Sequence, residues 1–416
     1  MKILLSTPTL RLAFLVFGMT MAGQSMAATP SENVDEYLSS ARIADGVNAL
    51  SARLDDEPGN DDLRFALGFL QFADAIEYLG HSWYVFGLQS HSMFSRMLPF
   101  MRLPVPDNPD PQPMSYADGR LVLQEMINKL AASERTLAGI DGNDVGLDVY
   151  LGRAYFDFNA NGAADDDEAL WRILGSVNPG TGLNDEIAHD FRIALDAGDV
   201  HWLRGYAHLL SALLEFYLSH DGERLFNHTA HLFFSNPDTP YPFLAEVHDQ
   251  EDLSSVVFDV MALIHTIDLP VIEPERREEV VRHLQAVIDQ SRLSWKAIRA
   301  ETDDEREWVP NPDQTGVIPN VRVTEEQIVQ WHAFLDEVEL ILTGQTLVPF
   351  WRGETPRGIN LRRALLESER FDLVHWIQGP GVASYFEDGP ITEAAFWREL
   401  RQAFGGQFIG FALWFN

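Results

Sequence analysis

Residues 201–219 read His201-Trp202-Leu203-Arg204-Gly205-Tyr206-Ala207-His208-Leu209-Leu210-Ser211-Ala212-Leu213-Leu214-Glu215-Phe216-Tyr217-Leu218-Ser219. The large apolar residues surround a 3.6-residue period on nearly every side, which is the pattern of a helix buried inside a larger protein. The polar exceptions, His201, Arg204, His208, Ser211, Glu215 and Ser219, recur at steps of three and four and so share one face. Two readings of that row stand side by side. In one, His201, His208 and Glu215 line a wet cleft and move protons or hold a metal, as in a periplasmic hydrolase. In the other, the row is a narrow solvent-facing strip with Arg204 and Glu215 paired to neighbours, since structural ion pairs also occupy such places.

His228 and His231 follow, three residues apart on an expected helix. Two imidazoles at that spacing suit zinc, but the chain has no H-E-x-x-H and no cysteine. Such a pair is more often hydrogen-bonded and structural.

Outward from this segment the periodicity stays helical. Leu63, Leu67, Leu70, Ala73 and Ile76 recur at three and four, as do Leu284, Val287, Ile288, Trp295 and Ile298 behind Glu273-Pro274. Thr324-Glu325-Glu326-Gln327 is a capping box, followed by a stripe of Trp331, Leu335, Val338 and Leu342. The expected fold is mainly α, made of packed helical hairpins. A short β or irregular C-terminal segment stays open around 346–351, 371–377 and 407–414. Prolines crowd 104–113 and recur at Pro310, Pro312 and Pro319, where neither helix nor central strand persists. These breaks divide the chain into a leader at 1–27 and regions at 28–103, 114–302 and 321–416. Residues 49–77, with Pro58 in a turn and Leu67-Gly68 and Phe72 beyond it, faintly resemble a tetratricopeptide-type hairpin. No 34-residue repeat accompanies it.

The leader is expected from Lys2 and Arg11, an apolar run from Leu12 to about Ala22, and Ser25-Met26-Ala27 as a cleavage site. The run is too short to span a bilayer comfortably, so cleavage near Ala27 and a periplasmic or secreted destination are expected, with no membrane span afterwards. Removing that leader takes the net charge from −33 to −35, because it carries two basic residues and no acidic one. Nucleic acid and anionic membranes would repel such a surface, whereas cations would not. Only Lys2, Lys129 and Lys296 are lysines. A salty habitat or a GC-rich genome would each produce that bias. With no cysteine, stability rests on core packing or a metal, and 46% hydrophobic residues supply ample material for a core.

One motif carries chemistry. Asp157-Phe158-Asn159-Ala160-Asn161-Gly162-Ala163-Ala164-Asp165-Asp166-Asp167-Glu168 resembles the loop of the EF-hand family, D-x-[DN]-x-[DN]-G-x5-E. The resemblance covers this loop only. It implies Ca2+ held by Asp157, Asn159, Asn161, the Ala163 carbonyl, Asp165 and Glu168, with Gly162 taking the sharp bend. Ala164 departs from the family's branched apolar residue at that position. Flanking helices are expected near 147–156 and 168–174, without a second loop. A solitary loop of this kind is expected to be a structural clip. The competing reading is an acidic turn that caps a helix and holds no ion.

Other signals fail. Gly80-His81-Ser82 opens like a nucleophile elbow, but the second glycine is missing and the run is helical. Neither of the glycine-rich phosphate or dinucleotide motifs occurs. Gly405-Gly406 with Phe408, Phe411, Trp414 and Phe415 reads as a terminal element packed on its own core, or else a surface for a protein partner.

The leader has a direct test. Phe14→Arg with Leu15→Arg should leave an unprocessed precursor in the cytoplasm, because the apolar run no longer enters the translocon. N-terminal sequencing and fractionation read the result, and normal processing of the variant would refute the leader.

Overall fold

The computed structural model describes residues 28–95, 101–177, 188, 190–246, 253–318, 322–352, 357–405 and 408–414. The expected leader, Pro319 and Phe415 lie outside the described residues.

Most described residues are helical. Along the chain come α1 (Pro30–Ser39), α2 (Ile43–Asp56), α3 (Asp61–Val85), α4 (Tyr116–Leu137), β1 (Leu147–Val149), α5 (Leu170–Val177) and β2 (Ile193–Leu195). Next are α6 (Ala197–Leu218), α7 (Glu223–Thr229), α8 (Leu253–Thr266), β3 (Asp268–Pro270), α9 (Glu275–Ile298) and α10 (Glu325–Leu342). The C-terminal part holds β4 (Arg357–Ile359), α11 (Leu361–Glu367), β5 (Arg370–Asp372), α12 (Leu373–Gln378), β6 (Phe386–Asp388), α13 (Ala394–Ala403) and α14 (Phe408–Trp414).

The helix starts follow local chemistry. Thr29, Ser115, Asp196 and Thr324 each open a helix through a capping box, in which cap and third residue satisfy each other's backbone N–H. Asn60 caps α3 by accepting from Leu63 N at 3.0 Å. It ends a turn, containing Pro58, that folds α2 onto α3. The helical hairpin expected at 49–77 is therefore present as a helix pair. Pro274 stands at the N-cap of α9, one residue ahead of the first helical position.

The strands are short antiparallel pairs, β1 with β2, β3 with β5 and β4 with β6. In the first, Leu147 faces Leu195 and Val149 faces Ile193. The C-terminal segments left open by the sequence divide between strand and helix: 370–372 is strand, 373–378 is helix, and Leu347 and Val348 make single bridges to Ile391 and Ile359.

Helix α6 packs between α4 and α9, and α3 packs on α4. Ser133 Oγ ties the latter pair by donating to the Gly68 carbonyl at 2.7 Å. One cluster of buried side chains runs from Val34 to Phe411. Helices on both sides of each proline-rich stretch contribute to it, while Ile359, Ala364, Val382 and Tyr385 form a small satellite. Phe408 and Phe411 of α14 pack among Trp331, Phe334 and Phe404, as expected of a terminal element covering its own core. No helix among the described residues is long and apolar enough to cross a membrane.

One expectation about helices is corrected. The segment 147–156 is β1, a 3-10 turn at Leu151–Arg153 and extended chain. Its backbone groups are drawn outward: β1 pairs with β2, Gly152 N donates to Phe191 O at 3.0 Å, and Tyr155 N donates to Leu38 O at 3.0 Å. Those bonds compete with the i→i−4 ladder that a helix there would need.

Trp295 tests the core. Its side chain is fully buried, lies parallel to Phe411 at 6.2 Å, and has an indole N–H without a partner. Trp295→Ala should destabilise by about 3–5 kcal/mol. Trp295→Phe should cost less than half of that, since it keeps a ring and removes the unpaired donor. Urea denaturation compares them, and equal losses would mean that the indole N–H is not unpaired in solution.

Candidate metal centre

The loop 157–168 leaves the extended entry segment and ends in a 3-10 turn, Asp166–Glu168, that leads into α5. Its two ends are closed by a bridge between Tyr155 and Ala169, with Phe156 N donating to Glu168 O and Leu170 N to Ala154 O. Between them the chain turns sharply. Ala160 and Gly162 both take left-handed φ, 53° and 73°. Glycine adopts this freely, whereas for alanine it costs about 1–2 kcal/mol.

Side-chain oxygens hold that turn. Asp157 accepts from Asn161 N and Gly162 N, both at 2.9 Å. Asn159 Oδ1 accepts from Asn161 N at 2.9 Å, and Asn161 Oδ1 from Ala163 N at 2.7 Å. The two carboxamides then donate to Asp165 Oδ2, at 3.3 and 2.8 Å. Glu168 reaches back so that Oε1 accepts from Phe158 N at 3.0 Å and Asn159 N at 3.2 Å. Its other oxygen, Oε2, is buried with no hydrogen-bond partner, and the residue is 0% exposed. Burial, reinforced by Asp157 and Asp165, pushes this carboxyl up to about 7. An unsatisfied buried acceptor costs about 1–3 kcal/mol, more for a charged group, and a cation beside it would remove that cost. The donor set is entirely oxygen, which suits a hard cation.

Two residues that the sequence reading passed over touch the loop. Glu77 of α3 accepts from Asp157 N at 3.0 Å, and burial, then Asp74, Asp157 and Glu168, push it up to about 7. His81, also on α3, pairs through Nδ1 with Phe158 O at 3.0 Å. A carbonyl only accepts, so His81 carries its proton on Nδ1 and donates.

The polar row of α6 faces inward, contrary to the solvent-facing strip. His208, Ser211 and Glu215 are buried, while Leu213 is 44% exposed. The reason is that α4 and α9 supply partners on that face. His201 Nδ1 meets Gln290 Oε1 at 2.8 Å, Arg204 donates to Glu134 at 2.9 Å, and Glu215 accepts from Arg276 at 2.7 Å. Ser219 Oγ donates to Phe216 O. His208 Nδ1 and His283 Nδ1 lie 2.9 Å apart, and Arg282 donates to His283 Nε2 at 3.1 Å. Arginine cannot accept, so neutral His283 holds its proton on Nδ1 and donates to His208, leaving the His208 proton on Nε2 facing Glu134, 3.6 Å away. His208 and Arg204 hold the Glu134 carboxyl down at about 2.

The five histidine and glutamate candidates do not converge. His201, His208 and Glu215 are engaged at successive levels of α6. His228 pairs with its own helix at Arg224 O and lies against Tyr241, whereas His231 faces Asp259 at 3.9 Å. His201 alone among them lines a cleft of about 420 Å³, together with Asp196, Lys296 and Glu301. Two of its lining residues, Asp196 and Glu301, meet the buried Glu307, with carboxylate oxygens within 4.8 Å of one another. Burial and Asp196 push Glu301 up to about 8. Nothing local in the sequence marks this trio, because its members come from the cap of α6 and the segment after α9.

No family model, curated protein or solved structure matches this chain.

The histidine pair sets a pH dependence. Burial, then Arg282 and His208, lower His283 from 6.5 to about 4. The unfolded chain therefore takes up a proton in that interval that the folded chain does not, so stability falls as pH drops from about 6.5 to about 4. His283→Leu removes this contribution. Its urea midpoint should fall less over the same interval than that of the wild type, and equal falls would mean that the ring titrates as an exposed one.

Proposed function

We propose that this chain is an exported, mainly helical calcium-binding protein in which the ion at loop 157–168 is structural. The observation that carries the reading is Glu168. A carboxylate 0% exposed, with one oxygen anchored on two backbone N–H groups and the other unpartnered, is costly alone and favourable beside a cation. Asp157, Asn159, Asn161 and Asp165 lie around the same turn, and the Ala163 carbonyl completes the set that the motif implies. The acidic chain favours a cation over an anionic partner.

Calcium fits this set better than magnesium. The loop offers several oxygens, which calcium accepts in varied geometry, whereas magnesium demands a smaller octahedron and holds its water. Solitary sites of this kind have dissociation constants of roughly 10⁻⁴ to 10⁻³ M. A structural role agrees with the surroundings, since Phe158 is fully buried and stacks on Phe156 at 5.4 Å, so that ordering the loop completes part of the main core. The hydrolase alternative gains no comparable support, because the polar groups of α6 are engaged one by one across helix interfaces.

Calcium should raise the thermal midpoint of the whole transition. At a hundredfold excess over Kd the gain is about 2.7 kcal/mol, or a few degrees in a chain of this size. Magnesium should do less. Glu168→Gln should weaken the effect most, Asn161→Ala less, and Asp303→Asn, outside the loop, not at all. Differential scanning calorimetry with millimolar calcium and with chelator is the measurement. Superimposable wild-type curves would reduce the loop to an acidic turn.

A further inference from the structure

A metal loop binds well when its ligand backbone is ordered before the ion arrives, since order missing beforehand must be supplied during binding. In this loop the exit side runs through a 3-10 turn into α5. The entry side is not a helix. Ala154 is extended, at φ −92° and ψ 134°, and the chain from there to Asp157 has no helical bond of its own. The Tyr155–Ala169 bridge ties this segment to the exit side, but Asp157 lies two residues beyond the bridge and needs a support of its own.

We infer that α3, which is remote in sequence, serves as the missing entry support, with Glu77 and His81 as positioning residues for the calcium site. The inference rests on the calcium reading above and adds a component outside the motif. Glu77, Gly80 and His81 stand at i, i+3 and i+4 and so share one face of α3. Each meets the loop entry differently. Glu77 Oε2 accepts from the N–H of Asp157, the first ligand. His81 donates to the carbonyl of the next residue, Phe158. Gly80 lets the Phe158 ring lie against the helix: a Cβ there would stand 2.1 Å from Phe158 Cδ1.

The peptide groups of residue 158 are thereby held from both sides. The Phe158 N–H donates to Glu168 Oε1, and its carbonyl accepts from His81. Moving Phe158 would release the anchor of Glu168 and, through Asp157, the first ligand as well. The chain of contact therefore runs from α3 through one residue to the two ligands at opposite ends of the loop. The bond to Asp157 N needs only an acceptor oxygen, which a carboxyl or a carboxamide supplies equally. His81 must supply a donor.

This gives a graded test on the mature full-length chain, titrated with calcium chloride by isothermal calorimetry, with melting curves in chelator run in parallel. Glu77→Ala and His81→Leu should each weaken calcium binding by roughly ten- to hundredfold, the usual cost of removing a support behind metal ligands. Glu77→Gln keeps an acceptor and His81→Gln keeps a donor, so both should stay within a fewfold of the wild type. Glu215→Gln, at a buried pair on α6, should leave affinity unchanged even where it lowers the melting point. If Glu77→Ala or His81→Leu does not fold, Gly80→Ala at the same contact takes its place and should weaken binding likewise. Wild-type affinity in Glu77→Ala and His81→Leu, even with lowered melting points in chelator, overturns the positioning role and leaves calcium binding intact. No heat from the wild type itself overturns the calcium reading beneath it, and the inference with it.

Discussion

A helix that is apolar on nearly every side still carries backbone-sized problems in its few polar side chains, and α6 carries five of them along one row that its C-cap Ser219 completes. Taken out of water unpaired, each hydroxyl or amide costs about 1–3 kcal/mol, and a charge more. The protein meets this by laying α4 and α9 along that face. Glu134, Gln290, His283 and Arg276 are placed where Arg204, His201, His208 and Glu215 need them. Once those two helices are committed to α6, much of the remaining packing follows. Helix α3 has α4 to lie on, and α10, α13 and α14 close over α9 with an aromatic cluster around Trp331 and Trp295.

The same rule of compensation shapes the loop. Glu168 is drawn inside by two backbone donors and left with one oxygen over. Its neighbours Asp157 and Asp165 add like charge, so the turn accumulates an electrostatic cost that an oxygen-seeking cation would remove. Left-handed Ala160 adds backbone strain at the same place. The acidic trio of Asp196, Glu301 and Glu307 is a contrast. Its carboxyls also crowd together and accept from Gly198 N, Glu305 N and Gln314, but unlike Glu168 none of the three has a buried oxygen without a partner.

What could be read in advance was whatever a short stretch of chain decides. The helical class, the capping box at Thr324, the hairpin turn at Pro58 and the sharp turn from Asp157 to Glu168 depend on residues within a few turns of one another. Periodicity and turn chemistry act over that range. The misreadings have the opposite character. A helix at 147–156 is what the loop's resemblance implies for its flank, but pairing with β2 and bonds to Leu38 and Phe191 take the backbone groups elsewhere.

The row on α6 marks the boundary most clearly. Its existence is a property of the sequence, since spacing alone puts His201, Arg204, His208, Glu215 and Ser219 on one face. Its direction is not, because inward or outward depends on whether distant segments bring partners, and only the packed chain brings Glu134 from α4 and His283 from α9. Likewise the oxygen-bearing side chains of the loop are written in nearby residues, whereas Glu77 and His81 reach Asp157 and Phe158 across some eighty positions. A side chain's chemistry is local, but what it meets after burial is chosen by the pairing of surfaces far apart in the chain, and no pattern within a single segment encodes that choice.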